Sequence, residues 1–392
     1  MNKVAISNCA GYELADVSNA IDALMSDLGY DFTQLIQPGM TVFIKPNWVA
    51  SRWRASAPHV DTLYSVITHP IVIEAIADRV AKALNGRGRI IIGDNPSIDA
   101  DFEELMQFTG IRKLLTKYDV PCEILDLRPL VCKDLKDYGK KNKAVAQPGD
   151  PRGNVLVNLG RQSLLYDVDS SLFHGIFDER EDTVAAHTGD TQLYTFSRSL
   201  YDADVYISIP KMKTHQKVGA TLNLKGLVGS VTDKNQLVHW RIGVPATGGD
   251  EYPNKASYEA SKMATVTHRG SHPGNDTIWR MVVDLYQAML RKERKYFSIV
   301  DGIVAGEGQG PFCPHAKTAN KLLAGDDLLA VDLVTARYMG FDPKKLRYLN
   351  WFIENGYSLD KVDVVDATQF FASKSKYLDF AVVPQWKGAK VR

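Results

Sequence analysis

Two lysines, a threonine and a histidine fall together at Lys211-Met212-Lys213-Thr214-His215, directly after the apolar run Val205–Ile209 and Pro210. Thr221, Asn223, Lys225 and Gly226 follow closely. Cations, a hydroxyl, an imidazole and an amide in so short a stretch make an anion cradle. Lysine keeps its charge as a phosphate or carboxylate partner, and histidine carries protons near neutral pH. Similar groups recur elsewhere. Lys45 and Asn47 follow Val42-Phe43-Ile44, Asp94 and Asn95 follow Ile90-Ile91-Ile92, and Asp301 follows Ile299-Val300. The predicted substrate-binding set is Lys45, Asn47, Lys211, Lys213, Thr214, Asn223 and Arg280. Proton transfer is assigned to His215, Glu307 and Lys225.

A second polar series comprises Asp233, Asn235, His239, Arg241, Asp250, His272 and Asp276. Hard divalent ions take oxygen ligands, and His-plus-carboxylate sets suit Fe, Mn or Zn. Asp94, Asp233 and Asp276 are the metal-ligand candidates for a divalent ion (Mg, Mn, Fe or Zn), although no pair has a diagnostic spacing. Gly306-Glu307-Gly308-Gln309-Gly310-Pro311 could present amides to an anion. It matches neither standard nucleotide loop. Cys9, Cys122, Cys132 and Cys313 lie too far apart in the chain for a zinc ribbon or a ferredoxin-type cluster, so no iron–sulfur cluster is expected.

The elements that position these groups are short apolar runs ending in polar residues: Val4–Ser7, 42–44, 90–92, Ile124-Leu125, Val155–Leu159, Val205–Ile209 and Ile299-Val300. Such runs suit strands buried on both faces, as in a parallel sheet. Between them, Ile73, Ile76, Ala77, Val80 and Leu84 recur at helical spacing, with Gly86 as the expected C-terminal cap. Residues 278–290 and 327–339 repeat the pattern, the last closed by Gly340. The expected fold is α/β, a mainly parallel sheet flanked by helices, with a long irregular loop over 229–277 at the active site. The expected units are 1–135, 136–230 carrying the Pro-Lys-Met-Lys-Thr-His motif, 231–296 as an irregular insertion, and 297–392.

The 392 residues carry 47 Lys+Arg against 46 Asp+Glu, a net charge of +1, with 45% apolar and 24% charged residues. That balance speaks against nucleic-acid coating and against disorder. The start turns polar too soon for a secretory segment, and no run approaches a membrane span. A cytoplasmic protein, acting on a small anionic metabolite without nucleic-acid or membrane partners and able to form a homo-oligomer, is the expectation.

At these residues the chain resembles the bacterial and archaeal domain-of-unknown-function 362 family. The resemblance rests on Ile44-Lys45-Pro46-Asn47-Trp48-Val49, Thr68-His69-Pro70, Gly93-Asp94-Asn95-Pro96, the 210–215 motif, Leu224-Lys225-Gly226 and Asp233-Lys234-Asn235. It continues through 248–253, 274–281, 300–303 and 306–311. It implies an α/β protein, in some members fused to ferredoxin-like segments whose cysteines this chain lacks. The family pattern often reads Leu-Lys-Asn where this chain has Gly226. A looser similarity in organisation links such proteins to the lactate-racemase-like group. The leading expectation is an isomerase, epimerase or lyase. The alternatives are a non-catalytic metabolite- or metal-binding protein and, third, an oxidoreductase partner of an iron–sulfur protein.

Overall fold

The computed structural model describes residues 2–52, 62–264, 268–367, 369–372 and 377–391. Its centre is a ten-stranded sheet. In chain order the strands are β1 (Asn2–Asn8), β2 (Thr41–Pro46), β3 (Arg89–Asp94), β4 (Cys122–Asp126), β5 (Val205–Ile209), β6 (Lys211–His215), β7 (Gly219–Thr221), β8 (Lys295–Gln309), β9 (Cys313–Gly325) and β10 (Val362–Val364). They lie in the order β10-β1-β9-β8-β5-β2-β3-β4, with β6 added on β8 and β7 on β6. Pairings from β8 through β5, β2, β3 and β4 are all parallel. Only β1–β9, β8–β9 and β6–β7 run antiparallel.

Successive strand residues face opposite sides, and both sides of this sheet are covered. Ile44, Ile90, Ile92 and Ile207 therefore join the core beneath α1 (Leu14–Leu28) and α2 (Pro70–Leu84). Phe43, Ile91 and Tyr206 join the opposite core with α3 (Ile278–Leu290) and α4 (Leu328–Tyr338). This explains why the strands read as unbroken apolar runs. Truncating a wholly buried residue such as Ile91 to alanine costs about 2–5 kcal/mol.

Helix limits follow local chemistry. His69 caps α2 by accepting the Ile71 N–H on Nδ1, with Pro70 at the first turn. The α2 end departs from expectation, since Asn85 rather than Gly86 takes the left-handed cap, at φ 48°. α4 begins where Asp327 accepts the N–H groups of Leu329 and Ala330.

Two further expectations need correction. Residues 155–159 form a strand, Asn154–Asn158, but it pairs antiparallel with Leu193–Ser197 in a separate ribbon. Gly306–Gln309 is no loop: it ends β8, with Gly306 opposite Ala316 and Gly308 opposite Pro314. The Gly308 amide is spent on the Ala381 carbonyl. A Cβ at Gly306 or Gly310 would overlap the Ser65 or Thr214 carbonyl, so these glycines permit close backbone packing rather than anion binding.

The described part of 229–277 is irregular, built of short turns plus the helix Lys255–Ser261, yet Val231, Leu237 and Val238 are wholly buried. It lies over the carboxyl ends of the strands, with Gly229 O accepting from the Asn95 N–H just beyond β3. Among the described residues, no helix is long and apolar enough to cross a membrane.

Candidate functional site: a buried lysine–histidine cluster

In open parallel sheets, ligands bind beyond the carboxyl ends of the strands. Here those ends are joined first by an ion pair. Lys45, ending β2, meets Asp94, ending β3, at 2.8 Å with both side chains nearly inaccessible. Asp94 also accepts the N–H groups of Trp48 (2.6 Å) and Asn95 (2.8 Å). A Cβ at Gly229 would overlap Asp94 Oδ1, so glycine is required where the covering segment crosses the pair.

Alternation along β6 puts Lys211, Lys213 and His215 on one face, all buried. Lys211 differs from the expected anion holder. Its ammonium is saturated by Asp301 (2.6 Å), the Val304 carbonyl (2.9 Å) and Tyr12 Oη (3.3 Å). Asp301 in turn accepts from Tyr12 Oη and the His69 N–H, so this group ties α2, β6 and β8 together. Three more predicted binding residues are structural ties for the same reason. Asn47 donates its side-chain amide to the Val66 carbonyl and its backbone N–H to the Thr68 hydroxyl oxygen. Thr214 Oγ1 donates to the Gly308 carbonyl. Asn223 donates to Asp332 and accepts from Ser298 Oγ.

What remains is a concentration of positive charge. Lys213 donates to the carbonyls of Val66 (2.7 Å) and Pro311 (3.1 Å). Lys217 donates to the Arg269 carbonyl and lies 4.3 Å above the Trp240 ring. Lys234 donates to the Asn95 carbonyl. Lys225 Nζ has no hydrogen bond or ion pair among the described residues. None of these four ammonium groups meets a carboxylate among those residues; Lys213, Lys225 and Lys234 are buried and Lys217 is half-buried.

Burial and mutual repulsion depress their proton affinity. Lys225 falls to about 8 through burial and the charge of Lys45. Lys217 and Lys234 fall to about 7, burial again leading, and Lys213 goes well below its ordinary range. Desolvated like charges either lose protons or take up an anion. Beside them, Thr221 Oγ1, Asn95 Oδ1 and Trp240 Nε1 are buried without a hydrogen-bond partner among the described residues. Thr221 stands opposite Lys213 in the β6–β7 register.

Two histidines complete the cluster with opposite tautomers. His215 Nδ1 accepts the Lys217 backbone N–H at 3.0 Å, so its proton sits on Nε2. His239 Nδ1 lies 2.7 Å from the Leu237 carbonyl, which can only accept, so its proton sits on Nδ1 and Nε2 carries a lone pair. Burial, then the surrounding lysines, holds both rings well below the ordinary imidazole range. They are neutral near pH 7: one offers a proton, the other accepts one.

The other predicted residues lie apart. Glu307 pairs with Lys317 (3.0 Å) and accepts the Ala381 N–H. The proposed metal set is not assembled. Asp94 is held by Lys45, Asp233 caps a turn by accepting the Asn235 N–H, and Asp276 is clamped by Arg280 and Arg347. Among the described residues no three His, Cys, Asp or Glu side chains form a metal-holding group. Arg280 belongs to the Asp276 cluster rather than to the lysine centre. Lys217 and Lys234 were not predicted. Their only sequence signals are the position of Lys217 two residues beyond His215 and that of Lys234 inside the Asp-Lys-Asn run.

Comparison with known proteins adds a family. A thylakoid-associated protein of Synechocystis sp. is 23% identical over 343 residues, covering 88% of this chain and 76% of its own length. The solved structure of the lactate racemase apoprotein from Thermoanaerobacterium thermosaccharolyticum aligns at a TM-score of 0.40 and 11% identity. That alignment covers 87% of this chain but only 57% of the racemase chain. A family model described as a domain of unknown function (DUF362) matches residues 42–149 and 130–337. These matches span most of the sequence, and the chain belongs to the DUF362 family.

Proposed function

We propose that the chain is an enzyme that binds a small anionic metabolite against Lys225 and moves a proton on it between His239 and His215. The reaction class is isomerisation, epimerisation or elimination. The single observation behind this reading is the complementary, backbone-fixed tautomers of His215 and His239 beside a buried ammonium that has no partner among the described residues. Lys225 holds the carboxylate or phosphate of the substrate. His239 Nε2 removes a proton from the carbon next to a carbonyl or carboxylate, and His215 Nε2–H donates to the oxygen on which negative charge develops. A neutral imidazole is the better-matched donor to an enolate-like oxygen, because it gives up a proton less readily than imidazolium and still hydrogen-bonds strongly. Burial removes competing water and strengthens each of these interactions.

A non-catalytic metabolite-binding protein is the second reading, favoured by the backbone carbonyls that already satisfy Lys213, Lys217 and Lys234. The two separate cleanly in variants. A panel of small phosphorylated and carboxylated metabolites, screened by thermal shift, supplies ligands. Lys225→Met abolishes binding under either reading. His239→Gln keeps affinity and loses turnover only if the protein is an enzyme; unchanged turnover in that variant contradicts the proposal.

A further inference from the structure

A second group of cations lies outside the lysine–histidine centre. Arg241, Gly248, Asp250, Asp276, Arg280 and Arg347 line a cavity of about 490 Å³. Three guanidinium groups converge there on one carboxylate. Arg347 bonds Asp276 Oδ1 (2.5 Å), Arg280 bonds Oδ2 (3.0 Å), and Arg241 lies 3.6 Å from Oδ2. The Arg280 and Arg347 guanidinium groups lie 4.8 and 4.9 Å from the Trp279 ring, which donates its indole N–H to Asp276.

Charge and geometry leave this wall short of one anion. Asp250 pairs with the Arg241 side chain (3.4 Å) and also accepts the Arg241 N–H, the Asp276 N–H and the Thr277 hydroxyl. Three cations thus share two carboxylates, Asp276 and Asp250, which leaves one positive charge unbalanced. The Arg347 guanidinium uses one nitrogen on Asp276, and no other hydrogen bond from it is present among the described residues. Planar guanidinium groups with spare N–H donors suit the oxygens of a phosphate. The cavity is in the size range of small-molecule sites, about 300–1,000 Å³, and far larger than one oxyanion requires. Gly248, in a left-handed conformation at φ 80°, forms part of the cavity edge.

We propose that this cavity is a second anion site, which takes a small phosphate monoester with its phosphate on Arg241 and Arg347 in competition with Asp276. The proposal is independent of the proton-transfer reading. Its test is isothermal titration of the full chain with glycerol 3-phosphate, inorganic phosphate and glycerol, following Trp fluorescence in parallel. The expected result is saturable binding of the ester, tighter than inorganic phosphate, with none for glycerol. Arg347→Gln weakens it about tenfold, the loss of one charge-assisted hydrogen bond. Asp276→Asn strengthens it by removing the competitor, a sign that a merely structural role would not give. Lys225→Met leaves it intact. Equal binding by wild type and Arg347→Gln overturns the site, and equal affinity for inorganic phosphate overturns the ester assignment. Loss in Lys225→Met with retention in Arg347→Gln overturns the second site and assigns the ligand to the lysine centre. Should Asp276→Asn not fold, the Arg347 and Lys225 arms still decide.

Discussion

Lys225→Met should make the ligand-free protein more stable while destroying its anion binding. The ammonium is buried without a partner among the described residues, and its proton affinity falls from the ordinary 10.5 to about 8. At about 1.4 kcal/mol per unit of pKa, keeping that charge in the folded chain at pH 7 costs about 3 kcal/mol. Methionine fills a similar volume without the charge. The sign with pH is fixed by linkage. The folded-state value lies below the unfolded one, so the unfolded chain binds more protons between about pH 8 and 10.5. Wild-type stability therefore rises over that window. The advantage of the variant should be about 3 kcal/mol at pH 7 and under about 1 kcal/mol at pH 10. Urea unfolding of both proteins at the two pH values, without added anion, reads this directly from the midpoints and slopes. A variant less stable than wild type at pH 7, or an advantage that does not shrink at pH 10, would refute the reasoning. Functional sites commonly carry such a stability cost.

Three further outcomes follow from the same structure. Asp94→Asn leaves Lys45 charged and buried without its counterion, which should cost about 3–5 kcal/mol in urea unfolding. Gly229→Ala forces a methyl group onto the Lys45–Asp94 pair and should lower stability by about 1–3 kcal/mol, with weakened anion binding measured by titration calorimetry. Asp284 is wholly buried beneath Ser163 and Tyr194, and burial pushes its carboxyl up to about 7. Its folded-state value lies above the unfolded one, so its contribution is present below about pH 4 and lost as pH rises through 7. Asp284→Asn should gain on wild type between pH 5 and pH 8 in unfolding midpoint.

The sheet was legible because both of its faces are buried. Runs such as Ile90-Ile91-Ile92 divide between two cores, and that division is what makes them continuous in sequence. Spacing along 211–225 grouped Lys213, His215 and Lys225, and the end of a separate run supplied Lys45, whose charge reaches Lys225 in the folded chain. Residue type could not tell a ligand holder from a tie. Lys211 and Asn223 look like binding groups until Asp301 and Asp332, some 90 to 110 residues away in sequence, are seen to saturate them. The glycine run at 306–310 misled in the opposite way. Glycine there answers the carbonyls of Ser65 and Thr214, a contact between distant segments that no local pattern records. The division of labour between His215 and His239 depends on which backbone group each Nδ1 meets, and only the folded chain decides it.

The most direct measurement is deuterium incorporation. Wild type, His215→Gln and His239→Gln are incubated in D2O with a panel of small hydroxy acids and phosphorylated carbonyl compounds, and each compound is weighed by mass spectrometry. The account predicts a gain of one mass unit at a carbon-bound position of at least one anionic compound with wild type, abolished in His239→Gln. Exchange that persists in both histidine variants, or a compound that binds against Lys225 without any exchange in wild type, would contradict it.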